Sequence, residues 1–500
     1  MAMTSAQDRP RLGWPSKALY GLGFMGQATR MQLLGAILLF YNQLVGLDAA
    51  AVSFAIFVAL LVDALWDPIV GQISDNTRSR LGRRHPYIYG AIIPSAICFA
   101  LVFMPPLGWS DDQLFFYLLA LIVAARMLES LVEIPNASLL PELSANYDER
   151  TSLGSWRFLY TAVIGRALSV VLAFMVFLRG TKAQPYGQLN QAGYAPFAIT
   201  VAIISVVVML ISARSTQRFV PYFHRVQQRR PTLREVGREV GIALGNRNFV
   251  ALALSGLIFG IAVGLSGGLL SYFLTYYWEL GSASLAQLGL WAIPGGFVGV
   301  VVAPYWSRMW GKKLGCLTVF YASILSTTVP IGARLLGIMP PNSSPWVLRI
   351  LIIDSFITGM LATLGFIIVT SMLADVVEAT QLKTGRRSEG LLFAADSLVR
   401  KLTTSFTALL PGILLKYVAF PMHARPGHVD PAILTHLATI YLPVVTVLYL
   451  CSTSVLMIYR IDRKQHEDNL ERLAESATLA EEGDLDLNPH LEPDIATRPA

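Results

Sequence analysis

What this sequence has little of is charge. Asp, Glu, Lys and Arg make up 14% of the 500 residues, against about 25% in soluble globular chains, while hydrophobic residues make up 54%. So few charges do not cover the surface of a soluble fold, and a bilayer is the expected solvent. Cysteine is scarce too: Cys98, Cys316 and Cys451 fall in or beside apolar stretches and read as small packing residues rather than a disulfide set. The histidines are scattered through loops and tail without metal-ligand spacing, and no phosphate-loop or Ser-His-Asp pattern stands in a polar region. No polar stretch is long enough to fold as an ATPase or another enzyme, so no cofactor is expected beyond a coupling ion. The polar start through Pro15 lacks the short apolar core and cleavage site of a signal peptide.

What is present is a series of apolar runs, each able to cross a hydrocarbon core roughly 30 Å thick. Twelve are counted, centred near residues 30, 62, 95, 126, 166, 204, 262, 294, 327, 362, 405 and 446. Arginine and lysine cluster after even-numbered runs: Arg78, Arg80, Arg83 and Arg84 after the second, Arg214, Arg218, Arg225, Arg229 and Arg230 after the sixth, Lys312 and Lys313 after the eighth, Lys383, Arg386 and Arg387 after the tenth. By the positive-inside rule both termini are then cytoplasmic. Topology accounts for the net charge of +7, and no nucleic-acid partner is expected.

A basic stretch divides the runs six and six. The expected organisation is a cytoplasmic N-terminus over 1–15, an N-terminal bundle over 16–213, a basic linker over 214–247, a C-terminal bundle over 248–460 and an acidic tail over 461–500. Within the linker, residues 232–244 read either as an amphipathic helix on the membrane surface or as a plain charged connector. The fold class is therefore all-α, an integral membrane protein of twelve helices in two six-helix bundles.

Within the second run stand Asp63 and Asp67, one helical turn apart on one face. A charge in the hydrocarbon core costs about 2.5 kcal/mol or more on insertion scales, so such a pair needs a partner cation, a proton or a wet cavity. Pro68 removes a helical hydrogen bond and frees the Ala64 carbonyl, which adds an oxygen to a candidate cation site. These residues alone suggest an ion-coupled transporter, with Na+ at Asp63 and Asp67 or a proton shared between them. Other charges recur in the runs: Arg30, Arg126, Glu129, Glu133, Arg157, Arg166, Asp354 and Lys401. Arg30, Arg126 and Arg157 could offer guanidinium forks to an anionic substrate, or Arg126 could pair with Glu129 or Glu133 on its own helix.

The exit of the second run, residues 71–84 (GQISDNTRSRLGRR), is echoed after the eighth at 304–313 (PYWSRMWGKK). This repeat resembles the signature of the major facilitator superfamily, which implies parallel six-helix halves, a midplane site and a cytoplasmic gate formed by Gly71, Asp75, Arg78, Arg80 and Arg83. The motifs YGLGFMG at 20–26, DALWDP at 63–68, EIP at 133–135 and DSLVRK at 396–401 resemble the glycoside-pentoside-hexuronide:cation symporter family, that of the melibiose permease. The resemblance covers roughly residues 16 to 460. It implies cation coupling at Asp63 and Asp67, with hydroxyls from Ser130 and Ser397 nearby. It also implies Glu133 between cation and sugar, Lys401 interacting with the acidic pair, and Arg157 as the arginine of the fifth run; Gln27, Arg30, Arg126 and Glu129 are this chain's own candidates for substrate contact.

Three positions depart from the family pattern: Trp66 replaces a polar residue before the second aspartate, Ala28 stands where the sugar permeases hold an aspartate, and Arg126 with Glu129 adds charge to the fourth run. The expectation is H+- or Na+-coupled symport of a sugar, glycoside or uronide by a monomeric, multi-pass protein of a bacterial inner membrane. The alternatives are a cation-coupled carrier of a lysolipid or another organic anion, and a membrane sensor that binds without transporting. The GLGFMG stretch fits a dinucleotide-binding pattern but lies inside an apolar run, where its glycines allow close helix packing. Gly256, Gly260 and Gly264 read the same way, and Tyr272, Tyr276, Tyr277 and Trp278 read as an interfacial belt or as a sugar-stacking surface.

Overall fold

A computed structural model describes residues 12–144, 146–182, 184–223, 245, 247–384 and 389–460, without the side chains of Tyr147 and of 377–396. The expected surface helix at 232–244, the acidic tail, Arg386 and Arg387 lie outside the described residues. Those described are helical, with no strand among them. Helix suits a span because it satisfies every backbone polar group internally where no water is available.

Twelve rods follow the apolar runs. The first, α1, comprises Trp14–Leu34, Ile37–Leu39 and a wider, π-wound turn, Phe40–Val45. Then come α2 (Ala49–Asn76), α3 (His85–Val102), α4 (Asp111–Ala137), α5 (residues 147–177) and α6 (Gln191–Gln217). The second half holds α7 (247–277), α8 (282–310), α9 (312–335), α10 (Pro345–Thr384), α11 (389–417) and α12 (Pro431–Leu456). Ten described helices are long and apolar enough to cross a membrane. One of these, Ser282–Leu335, is α8 and α9 joined through Gly311, whose φ of 70° and ψ of 168° break the helix. With α1 this gives the twelve expected from the sequence.

Polar caps fix where the rods begin. The Asp48 side chain accepts from Ala50 N and Ala51 N at the start of α2, at 3.0 and 3.1 Å, and Ser110 with Gln113 forms a reciprocal box at the start of α4. Large apolar side chains such as Ile93, Phe116, Ile203, Leu325 and Phe366 remain exposed, which a bilayer solvates and water does not.

The glycines act as close-approach points. A Cβ on Gly21 would lie 2.9 Å from the Trp156 carbonyl oxygen, and one on Gly23 2.7 Å from Ser212 Oγ, so α1 presses against α5 and α6. Gly264 does the same against Thr407 of α11, while Gly256 has open space.

Candidate functional site

The acidic pair of α2 meets α4 and α11. Asp63 is 3% exposed, a burial that an unpaired carboxylate would not tolerate. Its Oδ1 accepts from Ser130 Oγ of α4 at 2.7 Å. Its Oδ2 accepts from Arg126 Nη2 of α4 at 2.8 Å and from Lys401 Nζ of α11 at 3.1 Å. Lys401 Nζ donates also to Asp67 Oδ2, so one ammonium from the C-terminal half bridges both carboxylates of the N-terminal half. Asp67 Oδ1 is buried and lacks a partner among the described residues.

Arg126 joins this pair to a third acid: its Nη1 donates to Glu129 Oε2 at 3.2 Å. Glu129 is 5% exposed, and its Oε1 and Arg126 Nε have no partner among the described residues. Glu133 is half-buried one turn further along α4, and its charge acts on Arg126. Arg30 acts in turn on Glu129. The cluster thus sets four carboxylates, Asp63, Asp67, Glu129 and Glu133, against three cations, Arg30, Arg126 and Lys401.

The remaining sequence candidates are spread around this cluster. Arg30 is 1% exposed and is held by hydrogen bonds to Ser205 Oγ at 2.8 Å and Ser95 Oγ at 2.9 Å. Arg157 stacks over the Phe24 ring with its guanidinium carbon 4.4 Å from the centroid. Gln27 is half-buried and makes no hydrogen bond among the described residues. Ser397 lies one turn before Lys401, is exposed, and donates to neither aspartate. Trp66 turns its indole N–H to the Met127 carbonyl at 3.1 Å, tying α2 to α4 instead of lining an ion site.

Of the gate residues, Asp75 pairs with Arg84 at 3.1 Å. Arg83 pairs with Glu142, which also meets Arg84 at 3.0 Å. Arg78 and Arg80 are exposed and unpaired among the described residues, and a Cβ on Gly71 would meet only ordinary contacts. Gly82 is the glycine this loop requires: its φ is +86°, and a Cβ there would lie 2.8 Å from Val220. The second half repeats the clamp with Lys312 and Asp375 at 2.5 Å. Glu142 and Asp375 were not singled out in the sequence; their signal was an acid at the loop end of α4 and its counterpart on α10.

A second polar layer, also missed, closes the opposite face. Tyr272 Oη donates to Asn42 Oδ1 at 2.8 Å, and Tyr276 Oη donates to Gln43 Oε1 at 3.0 Å. Gln43 Nε2 donates to the Pro421 carbonyl at 3.0 Å. Gln188 donates to the Leu280 carbonyl at 2.9 Å and accepts from Ser282 Oγ at 2.9 Å. Tyr272 and Tyr276 are each 1% exposed, so they form neither an interfacial belt nor an open stacking surface: their hydroxyls latch the halves together. Hydrogen bonds and ion pairs joining the halves are found at this latch, at the Asp48–Lys416 pair (3.5 Å) and at Lys401. On the basic face, Asp75–Arg84, Lys312–Asp375 and Lys313 with the Met457 carbonyl each lie within one half.

Comparison with known proteins agrees with this architecture. A family model described as MFS/sugar transport protein matches residues 19–463. The isoprimeverose transporter of Lactiplantibacillus pentosus is 25% identical over 484 residues, covering 94% of each chain. A putative glycoside/cation symporter of Escherichia coli strain K12, YagG, is 24% identical over 459 residues, covering 90% of this chain and 93% of that one. Among solved structures, the D-xylose-proton symporter superposes with a TM-score of 0.58 at 14% identity, over 88% of this chain and 96% of that one. The nucleoside transporter NupG superposes with a TM-score of 0.57 at 13% identity, over 88% and 98%. Both share the two-bundle fold. The chain belongs to the MFS/sugar transport protein family, as its resemblance to the glycoside-pentoside-hexuronide:cation symporters within the major facilitator superfamily implied.

Proposed function

We propose that this multi-pass membrane protein is a secondary transporter that carries a sugar, glycoside or uronide together with H+ or Na+ by alternating access, with no other cofactor. One observation carries the reading: Lys401 of one half occupies Asp63 and Asp67 of the other. An internal cation on the acidic pair must leave when an external one arrives, and its leaving unties the two halves. Cation binding and bundle rearrangement then share one free energy, so a downhill ion gradient drives substrate uphill.

The basic face is cytoplasmic in this reading, the working unit is a monomer, and the membrane is a bacterial inner membrane. The latched face is then the outer one and the state is inward-facing. Sugar chemistry is supported by the names of the isoprimeverose and glycoside/cation relatives. The test is uptake into proteoliposomes under an imposed proton or sodium gradient. Asp67→Asn is expected to lose uphill accumulation yet retain substrate counterflow; full accumulation in that variant would refute the coupling role.

A further inference from the structure

We propose that Arg166 is the anion-binding residue of the transport site, so that the preferred substrate carries a carboxylate, as a uronide does, rather than being a neutral glycoside. The inference rests on the transport reading above and names the chemistry of its substrate.

The other guanidiniums considered for that role have partners: Arg126 two carboxylates, Arg30 two serines, with its Nη2 buried and unpartnered among the described residues, and Arg157 a phenyl ring. Arg166 is exposed and has no hydrogen bond or ion pair among the described residues. A lone guanidinium at membrane depth is costly, and such residues mark substrate or ion pathways.

Its direction follows from the helix. Gly165 of α5 packs on α1, where a Cβ would lie 2.8 Å from the Ala28 Cβ, and Ser169 donates to the Thr29 carbonyl at 3.2 Å. These two residues mark the face toward α1. Phe158, Ala162 and Arg166 share another face, and Val170 continues it to touch Gly289 of α8, where a Cβ would lie 2.8 Å from the valine. Arg166 therefore stands one turn from a contact between the halves. There it lines a cleft of about 90 Å³ with Phe158, Ala162, Ala292, Gly296 and Thr363.

A cleft of this size holds several waters, which leaves room for a charged substituent of a substrate. α5 is π-wound on both sides of Arg166, at Leu159–Gly165 and Val171–Phe177, and such winding often marks functional positions. The guanidinium presents a planar fork that matches a carboxylate. A lipid phosphate could use the same fork, so the experiment separates the two sources.

The test is binding to the purified full-length protein by calorimetry. The probes are methyl glucuronide, methyl galacturonide and their neutral glucoside and galactoside counterparts, and Arg166→Gln and Arg166→Lys are run beside the wild type. A uronide is expected to bind about ten- to a hundredfold more tightly than its neutral partner, with that ratio falling toward one in Arg166→Gln and partly recovered in Arg166→Lys. Equal affinities in the wild type, or no uronide binding, would overturn the proposal while flux of a neutral glycoside would leave the transport reading standing. An effect of Arg166→Gln seen only on reconstitution into phosphatidylglycerol vesicles, with uronides inert, would assign the guanidinium to a lipid headgroup and also overturn it. Uronide binding without gradient-driven flux would instead sink the transport reading and keep this site.

Discussion

Arg126 and Lys401 reach the same oxygen, Oδ2 of Asp63, from opposite halves of the protein, at 2.8 and 3.1 Å. One tie lies within the N-terminal half, and the other crosses between the halves. In the proposed cycle, parting of the halves would leave Arg126 with Asp63 but take from Asp67 the one cation it touches. The two aspartates, alike in the sequence, are thereby made unequal.

Lys401→Ala is expected to abolish uphill accumulation in proteoliposomes while counterflow survives, because Asp67 is left with no resident cation. Adding Asp67→Asn to Lys401→Ala removes that uncompensated charge and should raise the thermal midpoint in detergent above that of Lys401→Ala alone. It should not restore accumulation. A double variant less stable than the single one would contradict the pairing.

Removing Arg126 strands Glu129, which is 5% exposed and bonded to nothing else among the described residues. Breaking a buried ion pair from one side costs about 3–5 kcal/mol, so Arg126→Gln should lower the midpoint markedly. Glu129→Gln in the same chain should recover part of the loss. A double-mutant cycle with zero coupling between these positions would dissolve the proposed pair.

In the proposed cycle the latch would set how often the far face opens. Tyr276→Phe removes one neutral hydrogen bond to Gln43, worth about 1 kcal/mol, and should shift the closed-to-open ratio at that face about fivefold. Spin labels at Leu107 and Leu336, which are 90% and 75% exposed, report the distance across it in a cysteine-free background. An unchanged distance distribution in both Tyr276→Phe and Gln43→Ala would remove these residues from the gate.

On the basic face, Glu142→Gln deprives Arg83 and the buried Arg84 of their shared carboxylate and should destabilise the protein. Arg80→Ala, at an exposed and unpaired position, should change stability by less than about 0.5 kcal/mol. Thermal unfolding of the two variants side by side decides whether the clamp is Glu142 or the arginines nearer α2.

The sequence by itself determined the twelve helices, because a run of apolar residues long enough to cross a bilayer has no other way to satisfy its backbone. It also determined the acidic pair, since two carboxylates one turn apart in such a run share a face in any helix, and the resemblance supplied Lys401 as their partner. From the residues themselves, without the resemblance, only the tertiary structure decided which charges meet. Lys401 and Asp63 stand 338 residues apart, and whether Arg126 turned to Asp63, to Glu129 or to both depended on how α2 packs on α4. Local periodicity is silent on such a choice. The latch tyrosines were ambiguous for the same reason: an aromatic cluster at a helix end looks the same facing lipid, sugar or another helix. Only the packing of α7 against α1 buried their hydroxyls on Asn42 and Gln43. Likewise Arg166 was one of several arginines in the apolar runs until folding engaged the others and left it facing the cleft between the halves.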